Sequence, residues 1–170
     1  TNATNDFKLT RDSEAGTWKL VDAKPGEELD SGKSSSVTSA MSYPSFNDVA
    51  TNDAPAETGL DKPLRATIET FDNFTYAFKI GNKTADDNYF FQVAVTATIP
   101  KERTAPADEK AEDKEKTDKA SPEEIKKQEE QKEALKKKRD QEFADNLKKL
   151  EEKLKTEQAS EKWVYLVSKY

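Results

Sequence analysis

The chain has 170 residues, a formal net charge of −6, no histidine and no cysteine, with 36% charged against 33% hydrophobic side chains. Disulfides, thiolate chemistry, zinc sites built on Cys and His, and histidine-based acid–base catalysis are therefore excluded for these residues. The lysines are interleaved with glutamates under an acidic balance, so they form no phosphate-neutralising stripe of the kind nucleic acids require. No apolar run is long enough to span a bilayer.

The charge is unevenly placed. Residues 101–162 hold 18 of the 28 Lys/Arg and 19 of the 34 Asp/Glu, and that stretch is nearly neutral. The remaining residues, about 108, carry most of the aromatic side chains and must build the core. That is enough for a modest domain, not for a thick core around a deep cleft. The expected fold class is α+β: antiparallel hairpins with a short helix over 1–100 and 163–170, and an inserted charged helical arm over 101–162. The opening at Thr1 and the end at Tyr170, inside a strand-like pattern, read as a fragment of a longer protein whose targeting segments lie outside it.

In chain order, residues 6–23 read as a hairpin, with Phe7 and Leu9 alternating before a turn at Asp12–Gly16 and Trp18 and Leu20 after it. Residues 30–42 read as a short helix capped by Asp30 or Ser31, with Val37, Ala40 and Met41 on its buried side and Pro44 ending it. Phe46 to Ala50 suits a short strand. Thr58-Gly-Leu-Asp-Lys-Pro63 is a turn signal. It introduces a second hairpin, in which Ala66, Ile68 and Thr70 alternate, Asp72-Asn73 turns, and Phe74, Tyr76, Phe78 and Ile80 alternate on the return. This pattern echoes residues 6–23 as a weak internal repeat. After a polar turn at 86–88, residues 89–99 form a strongly β-prone strand, and residues 163–170 form another.

Between those two strands lies the arm. Ser121-Pro-Glu-Glu124 places Ser at the N-cap, Pro at the first helical position and Glu at the third. From Pro122 to about Gln158 no Gly or further Pro intervenes, so a single helix of roughly 55 Å is expected. Phe143, Leu147, Leu150 and Leu154 follow 4-3-4 spacing and make a two-heptad seam, too short for a self-sufficient coiled coil. They are the candidate partner-binding residues. The flanking strands are expected to share a sheet, so residues 101–120 must run alongside the helix. A partner helix or an extended strap meets that need, and the favoured arrangement is a lopsided helical hairpin folded at Ala120-Ser-Pro122 with its base, Phe143 to Leu154, against the domain or a partner.

No catalytic constellation emerges. Asp53, Asp86 and Asp87 lack cation-loop spacing, so no metal site is expected. The Ser31–Ser36 run with Lys33 reads as a Ser-rich helix start rather than a Ser/Lys dyad, and no phosphate loop or cofactor motif is present. The aromatics Tyr76, Phe78, Tyr89, Phe90, Phe91, Trp163 and Tyr165 fall on adjacent strands. One face of them is core; the other is core or a binding patch.

Thr58-Gly-Leu-Asp-Lys-Pro63, the following hairpin ending in Lys79-Ile-Gly-Asn82, and the earlier Gly16-Thr-Trp-Lys-Leu20 together resemble the bacterial family called domain of unknown function 4340. The resemblance covers about 6–99 and 163–170, and the arm has no counterpart in the family's pattern. It implies an α+β domain of envelope-anchored proteins, held behind a transmembrane helix and associated with gliding-motility-type ABC transporter components. It brings no catalytic residues. The expected function is thus a non-enzymatic, periplasm-facing accessory domain whose arm contacts a protein partner. It has no cofactor and no nucleic-acid partner, and it reaches the membrane only through segments outside this sequence. The competing expectation is a glycan- or peptide-binding module using the sheet face, with the arm a passive insertion.

Overall fold

The computed structural model describes residues 7–42, 45–50, 55–103 and 122–168. Two short strands, β1 (Lys8–Thr10) and β2 (Lys19–Val21), pair as an antiparallel hairpin. Helix α1 (Ser31–Ser42) follows, then β3 (Asp48–Val49), the single turn α2 (Pro55–Thr58), β4 (Leu64–Glu69), β5 (Phe74–Lys83) and β6 (Asn88–Ala97). Helix α3 (Pro122–Gln158) separates β6 from β7 (Tyr165–Ser168). The main sheet has five strands in the order β3-β7-β6-β5-β4, and all neighbours are antiparallel. The protein is α+β, with a long helix inserted between two paired strands of one sheet.

Local chemistry accounts for the elements. Asp30 is the cap of α1: its Oδ1 accepts from the backbone N–H groups of Gly32 (2.9 Å) and Lys33 (3.1 Å). The hydroxyls of Ser34, Ser35 and Ser36 donate back to carbonyls of Ser31 and Gly32, so this serine run serves the helix backbone. The side chains of Val37, Ala40 and Met41, the capping residue Ser121, and the outgoing limb of the arm over 104–121 lie outside the described residues. So does the question of a helical hairpin. The β4–β5 turn uses Asn73 at φ 62°, and the β5–β6 turn uses Asp87 at φ 62°, where Asn and Asp tolerate the left-handed region best among residues with a Cβ. Arg11 lies over the rings of Trp18 (4.9 Å) and Phe71 (5.8 Å), tying the first hairpin to the β4–β5 turn.

The register sorts the side chains. Phe74, Tyr76, Phe78 and Ile80 share one face with their cross-strand neighbours Ala97, Val95, Val93 and Phe91. Phe74, Phe78 and Val95 are buried there, with ring centroids 6.3 Å apart for Phe74–Tyr76 and Tyr76–Phe78 and 5.4 Å for Phe78–Phe91. The opposite face is mixed. Phe90 is buried on it, while Arg65, Thr67, Ala77 and Ala94 line a shallow groove of about 240 Å³.

A register shift between Ile80 and Lys83 marks a bulge at Gly81-Asn82. The α2 turn docks there. Asn82 Nδ2 donates to the Glu57 carbonyl at 3.0 Å, and Gly59 sits at φ 69° against the Asn82 side chain. The Gly-Leu-Asp-Lys-Pro turn and the Ile-Gly-Asn strand end, distant in sequence, are one contact in space.

Candidate interaction site at the base of the helical arm

Along β6, strand β7 pairs only with Asn88 to Phe91, which leaves the second half of β6 without a neighbouring strand on that side. Side chains from the end of α3 fill the gap. The Val95 N–H donates to Glu161 Oε1 at 2.6 Å, and the Val95 carbonyl accepts from Gln158 Nε2 at 3.1 Å. A carboxylate and an amide thus stand in for the missing strand and blunt an edge open to foreign pairing. Gln92 Nε2 adds a longer bond to the Glu161 carbonyl, 3.4 Å. The helix ends in tight turns through Ser160 and Glu161, and the Tyr165 hydroxyl donates to the Ser160 carbonyl at 3.2 Å, satisfying an acceptor at the helix end.

A second set of bonds lies one turn up the helix. Lys153 Nζ is 2.7 Å from Asp72 Oδ2, 3.9 Å from Glu157 Oε1 and 4.3 Å from the centroid of the Phe74 ring. The Tyr76 hydroxyl donates to Glu157 Oε2, and the Thr70 hydroxyl donates to Asp72 Oδ1. Partial burial opposes ionisation of Asp72, but the bonds from Lys153 and Thr70 outweigh it and hold the carboxyl below its ordinary 3.8. Burial first, then the Glu157 carboxylate and the charge of Asp72, push the Tyr76 phenol far above its ordinary 10.

These shifts set pH limits on the clamp. Tyr76 is protonated in the fold at pH values where the unfolded chain would ionise it. Its contribution is therefore intact below about pH 10 and is lost as pH rises beyond that. Tyr76→Phe is expected to flatten the alkaline limb of a stability–pH curve and to remove one late-titrating phenol from the absorbance titration of the five tyrosines. Asp72 has the opposite sign. Its contribution is present above about pH 4 and fades as pH falls through its lowered folded value.

Phe143, Leu147, Leu150 and Leu154 are each half-buried. Leu150 and Leu154 share a helix face with Lys153, Glu157, Gln158 and Glu161, at i+3 and i+4 steps, and the latter four bond to the sheet or to Asp72. Phe143 and Leu147 continue that stripe up the helix, to Asp140. There Arg103 Nε meets Asp140 Oδ1 at 2.9 Å, with Arg103 largely covered. From Val95 to Arg103 an extended chain covers roughly 27 Å, and from Gln158 back to Asp140 a helix covers about the same. The chain leaving β6 therefore runs antiparallel along the lower helix as a strap as far as Arg103.

Sequence patterning assigns no binding role to Lys153, Glu157, Gln158, Glu161, Asp72 or Tyr76. The signal for Glu157 and Glu161 is the 4-3-4 register itself, which continues forward from Leu154 onto these two polar residues, and Lys153 and Gln158 flank it. Elsewhere, Asp87 pairs with Lys83, and Asp53 lies outside the described residues. Among the described residues no three metal-type ligands gather, and no helix is long and apolar enough to cross a membrane. Comparison of the chain with protein-family models, curated proteins and solved structures returns no match.

Glu161 tests the edge cap. Glu161→Ala leaves the N–H of Val95, a residue 2% exposed, without its acceptor. The expected loss is about 1–3 kcal/mol in unfolding free energy, with faster hydrogen exchange at the Val95 amide. Glu161→Gln retains an acceptor and is expected to recover much of that loss.

Proposed function

We propose that this chain is a non-enzymatic interaction domain whose helical arm engages a protein partner, in the setting the family resemblance implies: an envelope assembly of the ABC-transporter type. The observation that supports it is a contrast along one helix. Below Asp140 the arm is clamped to the sheet by named bonds. Above it, every described side chain from Lys126 to Lys138 is exposed, including Leu135 at 48%. A loop tolerated only because lengthening is cheap needs no such root. A rooted helix presents its far half in a fixed direction, which lowers the ordering cost of a docking surface.

The contact of Arg103 with Asp140 gives a clean test, because a short Gly-Asn turn can join residue 103 to residue 140 and leave the clamp intact. The intact chain is expected to capture transporter-type proteins from membranes of the source bacterium, and the trimmed chain to lose them. Identical capture by both forms would sink the arm as a docking element. The open groove over Arg65, Thr67, Lys79 and Gln92 favours a second reading, a glycan- or peptide-binding module. On that reading trimming leaves binding unchanged, and Lys79→Glu removes it.

A further inference from the structure

The molecule treats the edges of its sheet unequally. Strand β3 ends one side with only two residues, and the overhang of β6 is capped by Gln158 and Glu161. Strand β4, at the other end, is six residues long and has no neighbour beyond it among the described strands. Its side chains are exposed except for a half-buried Ile68, and Leu64 is 64% exposed. A regular edge of this length is the kind that natural folds cover or pair.

The direction of its free backbone groups follows from the ladder. Val95 N–H points away from β5, so the odd-numbered residues of β6 face outward and the even-numbered ones bond to β5. The even residues of β5 then face β4, as the bond from Thr70 N–H to the Phe74 carbonyl also requires. Leu64, Ala66 and Ile68 consequently bond inward. Arg65, Thr67 and Glu69 hold their N–H and C=O groups toward open solvent.

Those three residues are self-complementary. If a second β4 lies antiparallel with Thr67 opposite Thr67, Arg65 of each chain falls opposite Glu69 of the other, and Ala66 falls opposite Ile68. All three outward residues then form hydrogen-bonded pairs. Centring on Arg65 or Glu69 instead sets like charges opposite one another, which is unfavourable. Within one chain Arg65 sits directly across from Lys79, a like-charged neighbour. Among the described residues, Arg65, Lys79 and Glu69 have no ion-pair partner. An incoming Glu69 would relieve that repulsion.

We propose that β4 pairs with β4 of a second copy of this chain, antiparallel and centred on Thr67, joining two five-stranded sheets into one continuous sheet. This pairing is independent of the arm. A six-residue edge buries less than the ~1,200 Å² of a standard interface, so the dimer is weak, with a dissociation constant on the order of 0.1 mM.

Sedimentation equilibrium of the full 170-residue chain, from about 10 µM to 1 mM, reads this out. The mass is expected to climb toward twice 19.1 kDa. Arg65→Glu and Glu69→Arg should each weaken association at least about tenfold, since both cross-strand pairs become repulsive. An equimolar mixture of these two variants should associate again, because every cross-strand charge pair then joins an acidic side chain of one variant to a basic one of the other. Thr67→Pro should also dissociate the dimer while keeping the fold, since the lost N–H faces outward. A chain that stays monomeric at about 1 mM overturns the proposal and leaves the edge to a strand from another protein. So does association that both charge reversals leave unchanged, or a mixture that fails to associate.

Discussion

Phe74→Ala is expected to cost about 3–5 kcal/mol, a large part of the ~5–15 kcal/mol that holds a typical domain folded. Phe74 is fully buried, and with Phe78, Phe90 and Val95 it makes up the buried hydrophobic side chains among the described residues. A core this thin has few neighbours able to collapse into the space a phenyl ring leaves. The ring also supports the clamp: it stacks with Tyr76 at 6.3 Å and lies 4.3 Å beneath Lys153 Nζ. Its removal should lower the melting temperature by roughly 10–20 °C and free Lys153 from one of its supports. Hydrogen exchange separates the two effects. If Phe74 roots the arm, protection in residues 154–161 drops further than protection in β4. Equal loss in both regions would reduce Phe74 to general core packing.

The elements legible in the sequence are those with strong local periodicity. Strand β5 is evident from Phe74, Tyr76, Phe78 and Ile80 at every second position. The start of α3 follows from Pro122, and its unbroken length from the absence of later Gly or Pro. That the strands flanking the arm share a sheet is legible from their β-prone composition, and the structure makes them direct neighbours as β6 and β7. Placing β3 beside β7 has no local signal, because Asp48 and Leu166 meet across most of the chain. The α2 turn is hidden in a stretch that reads only as a connection, although Pro55 at its first position is a cue. The clamp is hidden for a different reason. Glu157, Gln158 and Glu161 look like ordinary solvated residues on a charged helix until the short β7 leaves a strand edge for them to satisfy. Polar residues acquire such roles only from tertiary context, so their spacing is a weak cue and their partners are not predictable from it.

Gly81→Ala is expected to be the most damaging alanine substitution among the five glycines, at about 2–4 kcal/mol. A Cβ at Gly81 would lie 2.0 Å from the Thr58 carbonyl oxygen, 3.1 Å from its carbon and 3.3 Å from Leu60 Cδ2. The first two are backbone atoms, so relief requires moving the α2 turn or the β5 bulge. Thr58 is itself buried, and Asn82 bonds to Glu57 beside it, so the turn has little freedom to retreat. Gly59→Ala meets a milder obstacle. Its φ of 69° costs about 1–2 kcal/mol with a Cβ present, and the nearest atoms, 2.5–2.8 Å away, belong to the movable Asn82 side chain. The two changes should not add. Once Gly81→Ala has lifted the turn, Gly59 no longer presses on Asn82, and the second substitution should cost less than it does alone. A double-mutant cycle by urea denaturation is expected to return a coupling of at least about 1 kcal/mol. Simple additivity would mean that the Gly-Leu-Asp-Lys-Pro turn and the Ile-Gly-Asn bulge are held independently, and that the contact between them contributes little to the fold.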